Sequence, residues 1–234
     1  HGYSNGDEVV ISGVVGMTEV NGKRFLVANK ATNTFELTDK DGTNINSSTF
    51  TTYTSGGVSN KVFEITTPYT TAQLFDLKFA QSADVMYITH PEHEVEKLSR
   101  TAHTAWTLTD VDFTNGPYMD ANITTTTLNP ASHTVGTGVA VVASAVTGIN
   151  SGSGFLSTDV GRLLQFGTGY GKITAVTDTL NITITIIEDL GSATASANWS
   201  LGSFSDTTGH PSCVTFFEQR LVFAGTTSQP QTIF

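Results

Sequence analysis

No stretch of this 234-residue chain keeps apolar residues at i, i+3, i+4 and i+7 for three helical turns, and that gap constrains the fold more than any motif. The periodicity that does occur is twofold. From Asn181 to Ile187, Ile182, Ile184 and Ile186 alternate with Thr183 and Thr185, the pattern of a strand with one buried and one wet face. Forty Thr and twenty Ser supply β-branched and turn-forming side chains, and 22 Gly punctuate them. The sequence therefore predicts an all-β protein. Helix is expected only as single turns, such as Ala72 to Phe75 capped by Thr70 or Thr71.

Short apolar runs between turn residues divide the chain into four parts. Residues 1–60 carry strands at Asp7 to Ile11, Arg24 to Ala28 and Thr34 to Leu37 and predict a small β-barrel ending near Gly56-Gly57. Residues 61–122 open at Val62 to Ile65 and continue through Leu77, Phe79, Val85 and Tyr87, then a charged segment Glu92 to Lys97, then Thr104 to Leu108. They predict a propeller-like antiparallel sheet. At Thr124-Thr125-Thr126-Thr127 the composition shifts, and residues 123–201 read as an inserted small β domain. Its strands are placed at Val139 to Val142, Leu163 to Phe166, Lys172 to Val176 and Asn181 to Ile187, with a capped turn at Ser157 to Gly161. Residues 202–234, with Val214 to Phe217 and Arg220 to Phe223, return to the propeller-like style. They stop without a terminator, and since the chain does not begin with Met it reads as cut from something longer.

Charge and cysteine content narrow the function classes. The net charge of −10 argues against attraction to a phosphate backbone, so sequence-specific DNA reading is not expected. The start is not a signal peptide and no run of 18 apolar residues occurs, so membrane embedding is not expected. The single Cys213 leaves no intrachain disulfide and is expected as a small buried apolar residue.

Several clusters could carry chemistry. His90-Pro91-Glu92-His93-Glu94 holds the densest set of metal-ligand types, but Pro91 forbids a regular helix and no H-E-x-x-H occurs, so a solvated loop between strands is expected. Asp39-Lys40-Asp41-Gly42-Thr43-Asn44 offers oxygens at alternate positions yet lacks the closing Glu of a calcium loop, and reads as a turn. Asp110 and Asp112, two apart on an expected strand, would share a face as a glycosidase pair does. Gly167-Thr168-Gly169-Tyr170-Gly171 precedes a strand rather than a helix and reads as a β-turn, not a phosphate loop. The sequons at Asn46, Asn122, Asn181 and Asn198 match what chance gives at this Ser and Thr content. No G-x-S-x-G is present. No residue is assigned as catalytic, cofactor-binding or metal-ligating, and no enzyme activity is expected.

Two stretches carry a resemblance. Phe63-Glu64-Ile65-Thr66-Thr67-Pro68-Tyr69 running on through Leu74 to Pro91, and Phe216 to Thr226, resemble the tail nozzle, or tail tubular, proteins of short-tailed bacteriophages and related prophage proteins. The first sixty residues, with Gly2 to Asp7 and Thr34 to Leu37, resemble the small β-barrel likened to the first catalytic-cysteine half-domain of ubiquitin-activating enzymes. That second likeness concerns scaffold only. The first implies a virion structural protein, made in the bacterial cytoplasm, that forms a ring of its own copies around the DNA exit channel. Its implied partners are other tail and portal-adaptor proteins, with DNA passing through unbound. Two rival readings stand beside it. A carbohydrate- or receptor-binding module could stack sugars on Tyr3, Tyr53, Tyr118, Tyr170, Trp106 or Trp199, and a tail hydrolase would need convergent acids.

Overall fold

Ile182, Ile184 and Ile186 form the apolar spine of the largest sheet, each at most 1% exposed, because alternation on a pleat sends all three to one face. The computed structural model covers His1–Phe234 and is all-β, 43% strand and 5% helix, in several antiparallel sheets that include a curled half-barrel. The chain divides into two compact units, His1–Thr66 and Thr67–Phe234.

The first unit holds β1 (Glu8–Val15), β2 (Arg24–Ala28), β3 (Glu36–Thr38) and β4 (Ser55–Lys61), in sheet order β3-β2-β1-β4. Its core is Val9, Val20, Phe25 and Val27, ringed by Phe35, Leu37 and Phe50. The edge strand β4 has no alternating apolar face, and glycine is what lets it approach. A Cβ at Gly57, where φ is +101°, would stand 2.8 Å from the Val14 side chain.

The second unit begins with a single 3-10 turn, Thr71–Gln73, one residue ahead of the expected Ala72 to Phe75. Gln73 sets that register, since its Oε1 accepts hydrogen bonds from Thr70 N at 2.9 Å and Thr70 Oγ1 at 3.0 Å. Next come β5 (Lys78–Ser82), β6 (Val85–His90), β7 (His93–Ala102) and β8 (Ala105–Asp110), paired consecutively as an antiparallel meander. The charged segment Glu92 to Lys97 is therefore largely strand: its Val95 and Glu96 are buried in β7.

Residues 128–201 contribute a six-stranded sheet of their own. It comprises β9 (Leu128–Pro130), β10 (Gly136–Ala143), β11 (Leu163–Phe166), β12 (Gly169–Val176), β13 (Asn181–Glu188) and β14 (Trp199–Leu201), in the order β14-β11-β12-β13-β10-β9. Its buried cluster, from Leu128 to Leu201, is the largest in the molecule and includes Ile149, Phe155, Phe166 and Trp199. The Gly167 to Gly171 segment is the β11–β12 hairpin, where a Cβ on Gly169 would collide with the backbone oxygens of Glu188 and Asp189. The chain then returns as a hairpin of β15 (Cys213–Phe217) and β16 (Arg220–Ala224), and β15 lies against β5 and β6 without pairing with either. Cys213 is exposed there, contrary to the buried position expected of it, because a two-stranded hairpin cannot cover both of its faces.

Candidate binding site

The clusters nominated from sequence are dispersed by the fold. Pro91 and Glu92 form the tight turn of the β6–β7 hairpin, so the expected solvated loop is not found. His90 is 3% exposed and pairs across the hairpin with His93, their ring centroids 5.2 Å apart. Tyr69 meets His93 edge-on at 5.2 Å, while Glu92 accepts a hydrogen bond from Gln73 Nε2. Glu94 instead lines a small cavity together with Asp112, Lys172 and His210. No three His, Cys, Asp or Glu side chains converge as a metal-binding group. Burial, assisted by neighbouring His93, pushes the His90 imidazole below its ordinary range.

Asp39 Oδ1 is occupied by the amides of Asp41 (3.0 Å) and Thr43 (2.8 Å), which closes the turn from within. Asp110 and Asp112 do not share a strand face, because β8 ends at Asp110. Asp110 lies opposite Glu96 in the β7–β8 register, whereas Asp112 pairs with Lys172 at 3.4 Å. Glu96 is the unusual carboxyl of this region. Burial raises it above its ordinary 4.5, the nearby Tyr69 hydroxyl opposes that rise, and Asp110 adds to it.

The site with the most developed architecture lies elsewhere and was not singled out in the sequence. The turn Ser157–Asp159 delivers Asp159 inward, where Oδ2 accepts from Leu156 N at 2.9 Å and Asn150 Nδ2 at 2.6 Å. Asp159 Oδ1 accepts from Arg162 Nη1 at 2.9 Å, and both side chains are fully buried. Arg162 Nη1 also donates to Asn150 Oδ1 at 2.8 Å, and Nε donates to Gly202 O at 2.7 Å. Nη2 reaches only the thioether sulfur of Met119, at 2.9 Å, a weak acceptor. Burial lowers the guanidinium below its ordinary value and Asp159 restores part of that, leaving a buried pair whose polar atoms are satisfied on the inner side.

This guanidinium forms part of the lining of a cleft of about 460 Å³ bounded by the 119–124 segment, the Gly148–Ser151 turn and residues near 207 and 228. The Asn122 side chain fixes the first wall, its Nδ2 donating to the carbonyls of Thr124, Thr126 and Ala197 and its Oδ1 accepting from Thr124. The second wall is strained, with Asn150 (φ +47°) and Ser151 (φ +58°) consecutive in the left-handed region. Trp199 and Leu201 supply apolar wall, and the Trp199 indole donates to Thr126 O at 3.0 Å. Of the aromatics weighed as sugar platforms, Trp199 alone lines this cleft. Asn150 and Asp159 stood in ordinary turn sequence, and only their convergence on Arg162 marks them.

Residues 1–62 match the family described as "Ubiquitin-activating enzyme E1 FCCH domain". The match covers the whole β3-β2-β1-β4 sheet of the first unit and none of the cleft. It contains no cysteine, since the chain's only one is Cys213, so the likeness is one of scaffold. No curated protein matches the chain.

Proposed function

We propose that this chain is a structural component of a bacteriophage tail, packing against copies of itself around the channel by which the genome leaves. The observation that carries the reading is the meeting of two distant segments. Phe63 to Pro91 and Phe216 to Thr226, which resemble tail nozzle proteins, are separated by more than a hundred residues, yet β15 lies against β5 and β6. Tyr87 and Phe216 make the joint, ring centroids 6.2 Å apart. In this reading the meander is one propeller-like blade and residues 123–201 are an insertion between its parts. Phe75 (92% exposed), Phe79 and Phe217 leave apolar surface beside that joint, which suits a protein that buries it only on assembly. Other tail and portal-adaptor proteins would be its neighbours in the virion. The −10 net charge suits a passage for DNA that does not hold its cargo.

No helix is long and apolar enough to cross a membrane. The rival reading, a carbohydrate- or receptor-binding module, is favoured by one observation, the cleft over Arg162. The assembly reading is tested by mass photometry and negative-stain microscopy of the purified chain across a concentration series. Closed rings, weakened by Phe79→Ser or Phe217→Ser, are the expected result. A monomer at every concentration, with surface variants indistinguishable from the parent, would remove the reading.

A further inference from the structure

We propose that the cleft over Arg162 is a binding site for a neutral, hydroxyl-bearing ligand of the saccharide class. The inference stands whether or not the chain assembles into a ring. At about 460 Å³ the cleft has the size of a small-molecule site. Its lining holds a guanidinium only 1% exposed, whose Nε and Nη1 are bonded to protein oxygens while Nη2 has only a thioether sulfur. That leaves a directed donor waiting for an oxygen acceptor. Gln229 Oε1, buried in the same lining, has no donor, so a second group there has unused hydrogen-bonding capacity.

Charge selects the ligand class. Asp159 already balances Arg162, and the other charged residue in the lining is Asp120, so the cleft has no positive charge to spare for an anion. An anionic ligand would lose its hydration against a carboxylate. A neutral polyol can place an oxygen on Nη2 and rest its C–H face on Trp199 and on Ile123, which stands 97% exposed at the rim. The geometry is preorganised. Asn150 adopts a left-handed conformation and from it holds both Asp159 and Arg162, and strain of this kind is kept where surrounding contacts enforce it, often at ligand clamps.

The test uses the whole chain, with amide NMR titrations against diacetylchitobiose, cellobiose and maltose, and against galacturonate and inorganic phosphate as anionic probes. At least one neutral sugar is expected to shift the amides of Ile123, Ser151 and Thr207. Arg162→Met could unfold the protein, so the deciding variant is Ser228→Trp, at an exposed lining position, which fills the cleft from its rim. It should weaken sugar binding at least about tenfold with the melting temperature unchanged. Silence toward all three neutral sugars, tighter binding of galacturonate or phosphate, shifts confined to other surfaces, or full binding by Ser228→Trp would each overturn the proposal.

Discussion

The six-stranded sheet of residues 128–201 and the meander with its hairpin are cut from similar β-forming residues, yet only the first closes over its own apolar face. Leu128, Ile149, Phe155, Phe166, Ile182 and Ile184 are all at most 2% exposed, whereas Phe79 and Phe217, on strands of the second region, stand 55% and 64% exposed. The difference is one of layers. The large sheet is folded over by its own turns, which bring Ile149 and Phe155 against the strand faces, while the meander's covering is limited to one hairpin and the segment around Tyr69. A region of the first kind is stable by itself, and one of the second kind is stable enough to persist but keeps apolar surface for a partner.

The widest break of that comparison is excision. Residues 123–201 expressed alone should unfold cooperatively, and the chain without them, its flanks joined by a short flexible link, should remain soluble because closing the gap costs little entropy. An unfolded isolated segment would show that its core depends on the flanks. Saccharide binding should vanish in both pieces, since the cleft takes residues from inside and outside the segment.

Among point changes, Asp159→Ala should cost most, about 3–5 kcal/mol, because it leaves Arg162 buried beside a vacated partner. Denaturant titration measures it, and a loss below about 1 kcal/mol would mean that water reaches the guanidinium freely. Ile184→Ala, at a position with no exposed surface, should cost about 2–5 kcal/mol through lost burial and an unfilled cavity.

Glu96→Gln sharpens the contrast through pH. The folded carboxyl binds its proton more tightly than the unfolded one, so the native state carries more protons and stability falls as pH rises from the ordinary value of 4.5 through the raised folded value. The amide cannot ionise. Thermal melts from pH 4 upward should therefore show a flatter decline for the variant, and parallel curves would refute the assignment. The smallest effect is expected from Phe79→Ala, within about 0.5 kcal/mol for the isolated chain, since its ring is more than half exposed. A larger loss would mean that the meander face is packed after all.

Legibility in the sequence followed the same divide. β2 and β11 stand at Arg24–Ala28 and Leu163–Phe166 as read, and β13 differs by one residue, because alternation there coincides with one buried face. Four strands gave no such signal. β4 is Gly- and Ser-rich and exists as the partner of β1, β7 hides its buried Val95 among charges, and β9 and β14 are three residues each. The Arg162 site was illegible for a related reason. Its members Met119, Asn150, Asp159, Arg162 and Gly202 span more than eighty residues with no spacing that a motif could carry.

What the sequence determined by itself is the β character and the face of each well-patterned strand, since a period of two and the steric preferences of Thr, Val and Ile act over a few residues. What only the tertiary structure decided is which faces stay uncovered and which polar groups meet. Cys213 lies open on β15, Asp110 and Asp112 take different partners, and a guanidinium becomes part of a cleft lining. Burial and convergence depend on layers that arrive from distant parts of the chain, and no local pattern encodes that distance.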